Sequence, residues 1–369
     1  MTPVAARLIE RAIGDRAFPA AVLETGTSEG VVWRHAFGTL TYEEGAPATR
    51  EDTIFDLASL TKVIATTTIA MRAVEDGRLA LDDLVAARLP HWRGTDREDV
   101  TIADLLEHTS GLTAYLPFFH DHRGRAEFER AICTLPLEYA PRAQSIYSDL
   151  GFILLAFILE DTFARPFAEV FGAVMAELTP SPGPLLFNPP RELRARCAPT
   201  ELDLWRGRLL QGEVHDENCW ALSGAAGHSG LFGTAEAVGD FARQILQVLA
   251  GSDRLRQGYG QSAGASAPAE RHGLQRKTVE RFVRKSTVPG SSRALGWDTM
   301  LPTSSCGTRM SPRAIGHTGF TGTSLWIDPE RDLYAVLLTN RVHPSRENNQ
   351  IQPVRRAVHD ALWAIGEGR

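Results

Sequence analysis

The sequence predicts an α+β protein with two lobes: an α/β sandwich lobe, in which helices flank a central antiparallel sheet, and an inserted all-helical lobe. Strand-like segments occur near both ends of the 369-residue chain, and helical patterns fill the region between them. The chain is also longer than one compact core usually holds. We expect residues 1–58 and 270–369 to form the α/β lobe and residues 59–250 the mainly helical lobe. A functional site would then lie in the cleft between the lobes.

The N-terminal third begins with a helical pattern and a hairpin. Residues 1–20 combine helical apolar spacing with scattered charges, which is unlike a secretory signal peptide. Residues 20–24 and 30–37 are apolar and β-branched, and Gly- and Ser-containing turn residues join them. This pattern predicts two paired antiparallel strands.

Helices are predicted next along the chain. Helical spacing starts at about Ser59, and Gly77 suits the position just past the helix end. Thr101 and Asp104 have the spacing of a capping box, which predicts a helix that ends near residue 108. Two further helical patterns cover about 150–178 and 234–250.

The C-terminal third returns to strands. Residues 251–269 are rich in Gly, Ser and Ala, which is typical of a flexible loop or linker. Residues 323–327 and 333–338 are strand-like and are joined by a polar turn, and a final amphipathic helix is expected over about 353–366.

Composition excludes several classes of protein. The net charge of −6 leaves no basic surplus, so we expect no nucleic-acid partner. No apolar window approaches 18 residues, so we expect no membrane span and a cytoplasmic location. The four cysteines lack metal-site spacing, and the consecutive His215, Asp216 and Glu217 are poorly placed to share one ion. We therefore expect no metal site, and the oligomeric state is not predicted.

The pair Ser59 and Lys62 is the first chemical signal. Residues three apart share a helix face, so the hydroxyl and the amine can meet. Only three of the 39 basic residues are lysine, yet one stands at position 62 in an otherwise apolar stretch. A desolvated lysine can lose its proton and activate a serine, which arginine cannot do. Alone, this spacing also fits a capping serine beside an ordinary lysine.

Two later segments could complete a site. Tyr147 and Asp149 stand two residues apart at a loop–helix junction, where both could point into one cleft. A phenol near Lys62 would have a lowered pKa and could relay a proton. The segment 316–322 carries three glycines before a predicted strand, so a ligand could approach its backbone closely.

Together these segments resemble the serine β-lactamase and penicillin-binding protein superfamily, in particular its class C-like branch with family VIII-like esterases. The motifs SLTK at 59, YSD at 147 and HTG at 317 follow the order of that branch, which uses S-x-x-K, Y-x-N and often H-T-G. Supporting phrases also look like the family: LLEHTSGL at 105–112, AAGHSGLFGTAEAV at 225–238 and LGWD at 295–298.

The resemblance implies the β-lactamase/transpeptidase-like fold and acyl transfer through a covalent acyl-enzyme. By this analogy Ser59 is the nucleophile, and Lys62 and Tyr147 together take its proton. The backbone N–H groups of Ser59 and Phe320 would hold the oxyanion. The remaining candidates, which would contact substrate, are Asp149, His317, Thr318 and Gly319. The resemblance implies a small-molecule substrate and neither a metal nor an organic cofactor.

Two departures from the family pattern bear on the substrate. Asp149 replaces the usual asparagine, so it cannot donate a hydrogen bond to a substrate carbonyl, and its charge would stabilise protonated Lys62. His317 replaces a lysine and gives a weaker positive charge for a substrate carboxylate. Both departures favour an esterase or peptidase. A β-lactamase or D,D-carboxypeptidase, and a penicillin-binding sensor without turnover, remain alternatives.

Overall fold

The computed structural model describes residues 3–178, 183–251 and 273–364 of the chain. The segment 251–269, which we expect to be a flexible loop or linker, lies outside these residues except for Gly251. None of the helices in the described ranges combines the length and the apolar character that a membrane crossing requires.

The strands belong to one large and two small sheets in the described ranges. In chain order they are β1 (Ala20–Thr27), β2 (Gly30–Gly38), β3 (Phe55–Asp56), β4 (Leu185–Phe187), β5 (Leu202–Asp203), β6 (Arg208–Leu209), β7 (Leu231–Gly233), β8 (Asp298–Thr299), β9 (Ile315–Thr318), β10 (Ser324–Asp328) and β11 (Leu333–Thr339). The large sheet has the order β2-β1-β11-β10-β9-β8, and every neighbouring pair is antiparallel. Both ends of the chain therefore contribute to the central sheet.

The helices form two groups. In chain order they are α1 (Pro3–Gly14), α2 (Thr68–Glu75), α3 (Val85–Arg88), α4 (Ile102–Leu106), α5 (Gly124–Cys133), α6 (Asp149–Phe163), α7 (Phe167–Leu178), α8 (Arg191–Arg194), α9 (Glu217–Ala221), α10 (Ala235–Ala250), α11 (Arg276–Phe282) and α12 (Ile351–Trp363). Helices α1, α10 and α12 pack on the large sheet, whereas α4, α5, α6 and α7 belong to a bundle. A π-helical segment, Lys62–Thr67, leads into α2, and a 3₁₀ turn spans Phe118–His120.

Helices cover both faces of the large sheet. Alternate residues of a strand point to opposite faces. On β11, Val336 and Leu338 share a core with α10, whereas Ala335 and Leu337 share a core with α1 and α12. The arrangement agrees with the predicted antiparallel sheet with flanking helices.

The bundle centres on α6. Its residues 150–159 are all buried, as expected of a helix that is apolar all round. Helix α6 packs against α4, α5, α7 and the helix that follows Ser59. Lys62 and Asp149 therefore lie on two helices that are in contact.

Several boundaries differ from the sequence prediction. The helical pattern over about 150–178 is two helices, because Ala164 takes a left-handed conformation and Pro166 cannot continue α6. Helix α10, within the range assigned to the helical lobe, packs on the large sheet because its apolar face meets β1, β10 and β11. The predicted capping box of α4, between Thr101 and Asp104, is confirmed.

Candidate active site

Ser59 lies in a rigid turn between β3 and the helix that contains Lys62. Ala58 has φ +46°, a conformation that a non-glycine residue adopts only when its surroundings hold it. The Asp56 carboxylate accepts hydrogen bonds from Ala58 N at 2.9 Å and from His215 N at 2.8 Å. Thr61 Oγ1 donates to Ala58 O at 2.6 Å. These contacts fix the direction in which the Ser59 side chain leaves the turn.

The three side chains predicted to act together are in contact. Lys62 Nζ lies 3.0 Å from Ser59 Oγ, and Tyr147 OH lies 2.7 Å from the same oxygen. Lys62 Nζ also donates to Asp149 Oδ1 at 2.6 Å and to His228 O at 3.1 Å. An ammonium group has three N–H donors, and each of them has an acceptor here.

The surroundings favour the charged form of Lys62. Complete burial acts to lower its pKa, but the charge of Asp149 and the hydrogen bond to it, together with the adjacent Tyr147 oxygen, outweigh burial, so the pKa of Lys62 is raised. This result agrees with the expectation that Asp149 stabilises protonated Lys62. The resting cluster is therefore an ammonium–carboxylate pair beside a hydroxyl.

The phenol of Tyr147 differs from the sequence prediction. We expected a lowered pKa, but burial raises the pKa of Tyr147 and the nearby charge of Lys62 only partly offsets this effect. The ring lies against His108, with ring centroids 4.8 Å apart, and the Arg293 guanidinium lies 5.0 Å from the ring centroid. Tyr147 is thus a neutral hydrogen-bonding group at rest.

His317 is a neutral side chain at the end of β9. Burial, together with the charges of Arg293 and Lys62, lowers its pKa well below the ordinary value. Its Nδ1 lies 2.9 Å from Thr318 O, which can only accept, so Nδ1 carries the proton. Its Nε2 faces an N–H of Arg293 at 3.5 Å. The permanent positive charge beside this motif therefore belongs to Arg293.

The segment after His317 is held against the turn that carries Ser59. Thr321 Oγ1 donates to Asp56 O at 2.7 Å, and Thr323 Oγ1 donates to Leu57 O at 3.0 Å. A Cβ atom on Gly319 would lie 2.5 Å from Leu57 O and 2.1 Å from Thr323 Oγ1. Only glycine permits this close approach of two backbones.

The backbone N–H groups of Ser59 and Phe320 have no acceptor among the described residues. Both residues line one cavity of about 670 Å³, and Tyr147, Asp149 and His317 line it as well. Unpaired N–H groups that face a cavity can receive a developing negative charge. The structure thus brings all the predicted site residues to this cavity or next to it.

The sequence-based candidates did not include the four arginines of the cavity wall: Arg293, Arg341, Arg346 and Arg355. Arg293 stands two positions before the family-like phrase LGWD at 295–298, which was the available signal. Arg355 lies on the buried face of α12 with Ile351 and Val358. A lone charge among apolar residues at helical spacing could have indicated it. Arg341 follows β11 and carries no comparable pattern.

Comparison with known proteins decides the family. The family model described as Beta-lactamase matches residues 5–359, which is nearly the whole chain. The chain belongs to the beta-lactamase family. Its members share the β-lactamase fold of serine hydrolases, and the resemblance seen in the sequence motifs is therefore confirmed.

Curated relatives of this beta-lactamase family chain have names that describe an amidase and a carboxypeptidase. A Bacillus subtilis (strain 168) protein named N-acetylmuramyl-L-alanine amidase is 29% identical over 378 residues, which covers 91% of this chain and 80% of that protein. A Salmonella gallinarum protein with the provisional name D-alanyl-D-alanine carboxypeptidase is 30% identical over 336 residues, which covers 82% of this chain and 72% of that protein.

Solved structures share the fold at lower identity. EstCE1, a hydrolase with promiscuous acyltransferase activity, is 20% identical with a TM-score of 0.72 and 97% coverage of both chains. Unliganded simvastatin synthase from Aspergillus terreus is 18% identical with a TM-score of 0.73, covering 99% of this chain and 98% of that one. A class C beta-lactamase from Rhodobacter sphaeroides is 19% identical with a TM-score of 0.71, covering 98% and 99%.

The described residues of this family member contain no group of three or more His, Cys, Asp or Glu side chains placed to hold a metal ion. His215, Asp216 and Glu217 instead belong to the cavity wall. His215 contacts Glu201 at 2.8 Å, Asp216 contacts His228 at 2.9 Å, and Glu217 pairs with Arg346 at 2.6 Å. These side chains form part of the same cavity wall as Arg346.

Proposed function

We propose that this beta-lactamase family protein is a serine hydrolase that cleaves a small ester or amide through an acyl-enzyme on Ser59, with esterase or peptidase activity. The observation that carries this proposal is the contact of one hydroxyl oxygen, Ser59 Oγ, with both Lys62 Nζ and Tyr147 OH at the wall of a cavity. A serine held between an amine and a phenol is arranged for activation as a nucleophile.

The proposed reaction has two steps. In the first, Ser59 Oγ bonds to the substrate carbonyl carbon while its proton passes to the Lys62–Tyr147 pair, and the N–H groups of Ser59 and Phe320 hold the oxyanion. Tyr147 then protonates the leaving alcohol or amine as its bond to carbon breaks. In the second step, water bonds to the acyl carbon while its proton passes to the Lys62–Tyr147 pair. The bond from that carbon to Ser59 Oγ then breaks, the acid product leaves, and the pair returns the proton to Ser59 Oγ.

The resting charge state sets a condition on this reaction. Lys62 is an ammonium and Tyr147 a neutral phenol at rest, so neither can accept the Ser59 proton directly. The reactive form is the one in which the pair has lost one proton. Activity should therefore increase with pH until that proton has left the free enzyme.

Two arginines of the cavity wall support a carboxypeptidase as the second candidate, although four acidic side chains line the same cavity. The weak charge of His317, taken alone, would disfavour substrates with a carboxylate. Arg341 and Arg355 line the same cavity, have no ion-pair partner among the described residues, and supply positive charge that His317 lacks. A peptide with a free C-terminus fits this wall, which agrees with the provisional carboxypeptidase name of one relative.

Turnover assays with the Ser59→Ala variant test the proposal. We expect wild type to hydrolyse a short-chain p-nitrophenyl ester or a peptide ending in D-alanyl-D-alanine, and the variant to lose this activity by about 10⁴-fold or more. Ser28→Ala is the matched control, because Ser28 follows β1 at the end of the strand remote from the cavity and bonds to Asp332.

The remaining alternatives give different results. Nitrocefin turnover at the rate of a dedicated β-lactamase would favour that activity over esterase or peptidase activity. Stable labelling of Ser59 by a fluorescent penicillin without ester or peptide turnover would favour a sensor. Hydrolysis by Ser59→Ala at the wild-type rate would contradict the proposed nucleophile.

A further inference from the structure

Two arginine side chains bind the carbonyl groups of the loop that carries Phe320. Arg355 Nη2, from α12, donates to Gly319 O at 2.6 Å and to Thr323 O at 2.9 Å. Arg341 Nε donates to Phe320 O at 2.7 Å. Gly319 N also donates to Thr323 O at 2.8 Å. The two ends of this short loop are therefore joined both by this backbone bond and by the Arg355 guanidinium.

The hydrogen bond from Arg355 to Gly319 O is made to the same peptide group that contains the candidate oxyanion donor, the N–H of Phe320. The C=O of Gly319 and the N–H of Phe320 belong to the same planar amide. A cation on the carbonyl oxygen withdraws electron density from the amide and makes its N–H a stronger donor, because linked hydrogen bonds polarise one another. The Phe320 N–H has no acceptor within the described residues.

We propose that Arg355 is a positioning residue that strengthens and aims the Phe320 N–H toward the oxyanion. This inference rests on the proposed function, because it needs a tetrahedral intermediate on Ser59. Arg341 binds the next peptide group and so fixes the position of Phe320 without polarising its N–H. The two arginines therefore have different expected effects.

The charge of Arg355 is not neutralised by a neighbouring acid. Among the described residues no carboxylate lies within ion-pair distance of Arg355 or Arg341, whereas most other buried arginines have one. The Nε of Arg355 is buried and has no partner in the described residues. Burial and the charge of Arg341 lower the pKa of Arg355 to about 9, which still leaves it charged at neutral pH. Its field therefore reaches the loop carbonyls without an intervening anion.

The test compares a p-nitrophenyl ester with its thiono analogue, in which sulfur replaces the carbonyl oxygen. Sulfur is a poor hydrogen-bond acceptor. The kcat/KM value for the oxygen ester divided by that for the thiono ester therefore measures how much the oxyanion donors contribute. Loss of the guanidinium in Arg355→Met should lower this ratio on the order of tenfold, less than the about 10²- to 10³-fold effect of deleting a donor. Arg355→Lys, which keeps the charge, should lie between Arg355→Met and wild type.

Arg356→Met is the matched control, because Arg356 lies next along α12 and donates to Pro302 O at 2.9 Å, away from the loop. It should leave the ratio unchanged. A merely structural role of Arg355 would lower both rates equally and keep the ratio constant, and that result would overturn the inference. If Arg355→Met does not fold, Arg355→Gln, which loses the charge but keeps an N–H donor, decides: a lowered ratio supports the inference and an unchanged ratio overturns it.

The outcomes separate this inference from the proposed function. An unchanged ratio in an enzyme whose activity still depends on Ser59 overturns only the role of Arg355. Ester hydrolysis that survives Ser59→Ala overturns the proposed function and the role of Arg355 with it.

Discussion

Replacing Asp149 by asparagine should move the pH dependence of activity to lower pH. In the wild type, the Asp149 carboxylate lies 2.6 Å from Lys62 Nζ, and the Lys62 side chain has no solvent exposure. Asparagine keeps an acceptor for Lys62 but removes the negative charge. The pKa of Lys62, which Asp149 helps to raise against the effect of burial, must then fall. The deprotonated, reactive form of the Lys62–Tyr147 pair becomes more abundant at any given pH.

The size of the shift follows from the geometry of the pair. Two unit charges 2.6 Å apart attract by about 6 kcal/mol at an effective dielectric constant of about 20. This is an upper limit, because the Asp149 side chain is 18% exposed and water can replace part of the lost interaction. A nearby opposite charge usually changes a pKa by about 1 to 3 pH units, equal to about 1.4 to 4 kcal/mol. The rising part of the pH–rate profile should move down by at least about one unit.

Steady-state kcat/KM for a p-nitrophenyl ester, measured from acidic to alkaline pH at constant ionic strength, reads out this shift. Asp161→Asn is the control, because Asp161 lies on the same helix but pairs with Arg125. The asparagine at position 149 could also donate to a substrate carbonyl and raise the plateau rate, but that would not change the midpoint. A midpoint that stays at the wild-type value would refute the assigned charge state.

Two other substitutions test single contacts. Gly319→Ala places a Cβ atom 2.1 Å from Thr323 Oγ1 and 2.5 Å from Leu57 O, so the loop must move. We expect kcat/KM to fall about 10²-fold and the free energy of unfolding to fall by about 1 to 3 kcal/mol. Wild-type values of both quantities would contradict this packing. Thr101→Ala removes the capping box of α4 and should lower the free energy of unfolding, measured in urea, by about 1 kcal/mol with no change in kcat/KM. An unchanged unfolding midpoint would show that the cap contributes little.

The sequence predicted the elements that have regular patterns. The hairpin β1–β2 and the strands β10 and β11 contain apolar runs bounded by turn residues, and the structure confirms them within a few residues. The strands β3, β7 and β8 are two or three residues long, too short for any periodicity to appear. Yet β3 and β7 hold the turn before Ser59, so the local geometry of the site could not be derived from pattern alone.

The sequence located the residue types of the site better than their charges. The contacts among Ser59, Lys62 and Tyr147 follow from motifs that the chain shares with its family. The pKa of Tyr147 depends on the balance between burial and the charge of Lys62, and burial is known only from the packed structure. The arginines were missed because the fold, and not sequence proximity, brings Arg341 and Arg355 to the loop that follows His317.

The neutrality of His317 makes the pH–rate profile easier to assign. Because its Nδ1 proton is donated to Thr318 O and its Nε2 faces Arg293, protonation of Nε2 would set two positive groups against each other in a buried site. His317 is therefore not a source of titration near neutral pH. Because the pKa values of Lys62 and Tyr147 are both raised, the shared proton loss of this pair gives a rising limb on the alkaline side, where His317 does not titrate. For this reason the response of that limb to Asp149→Asn tests the charge state of the pair itself.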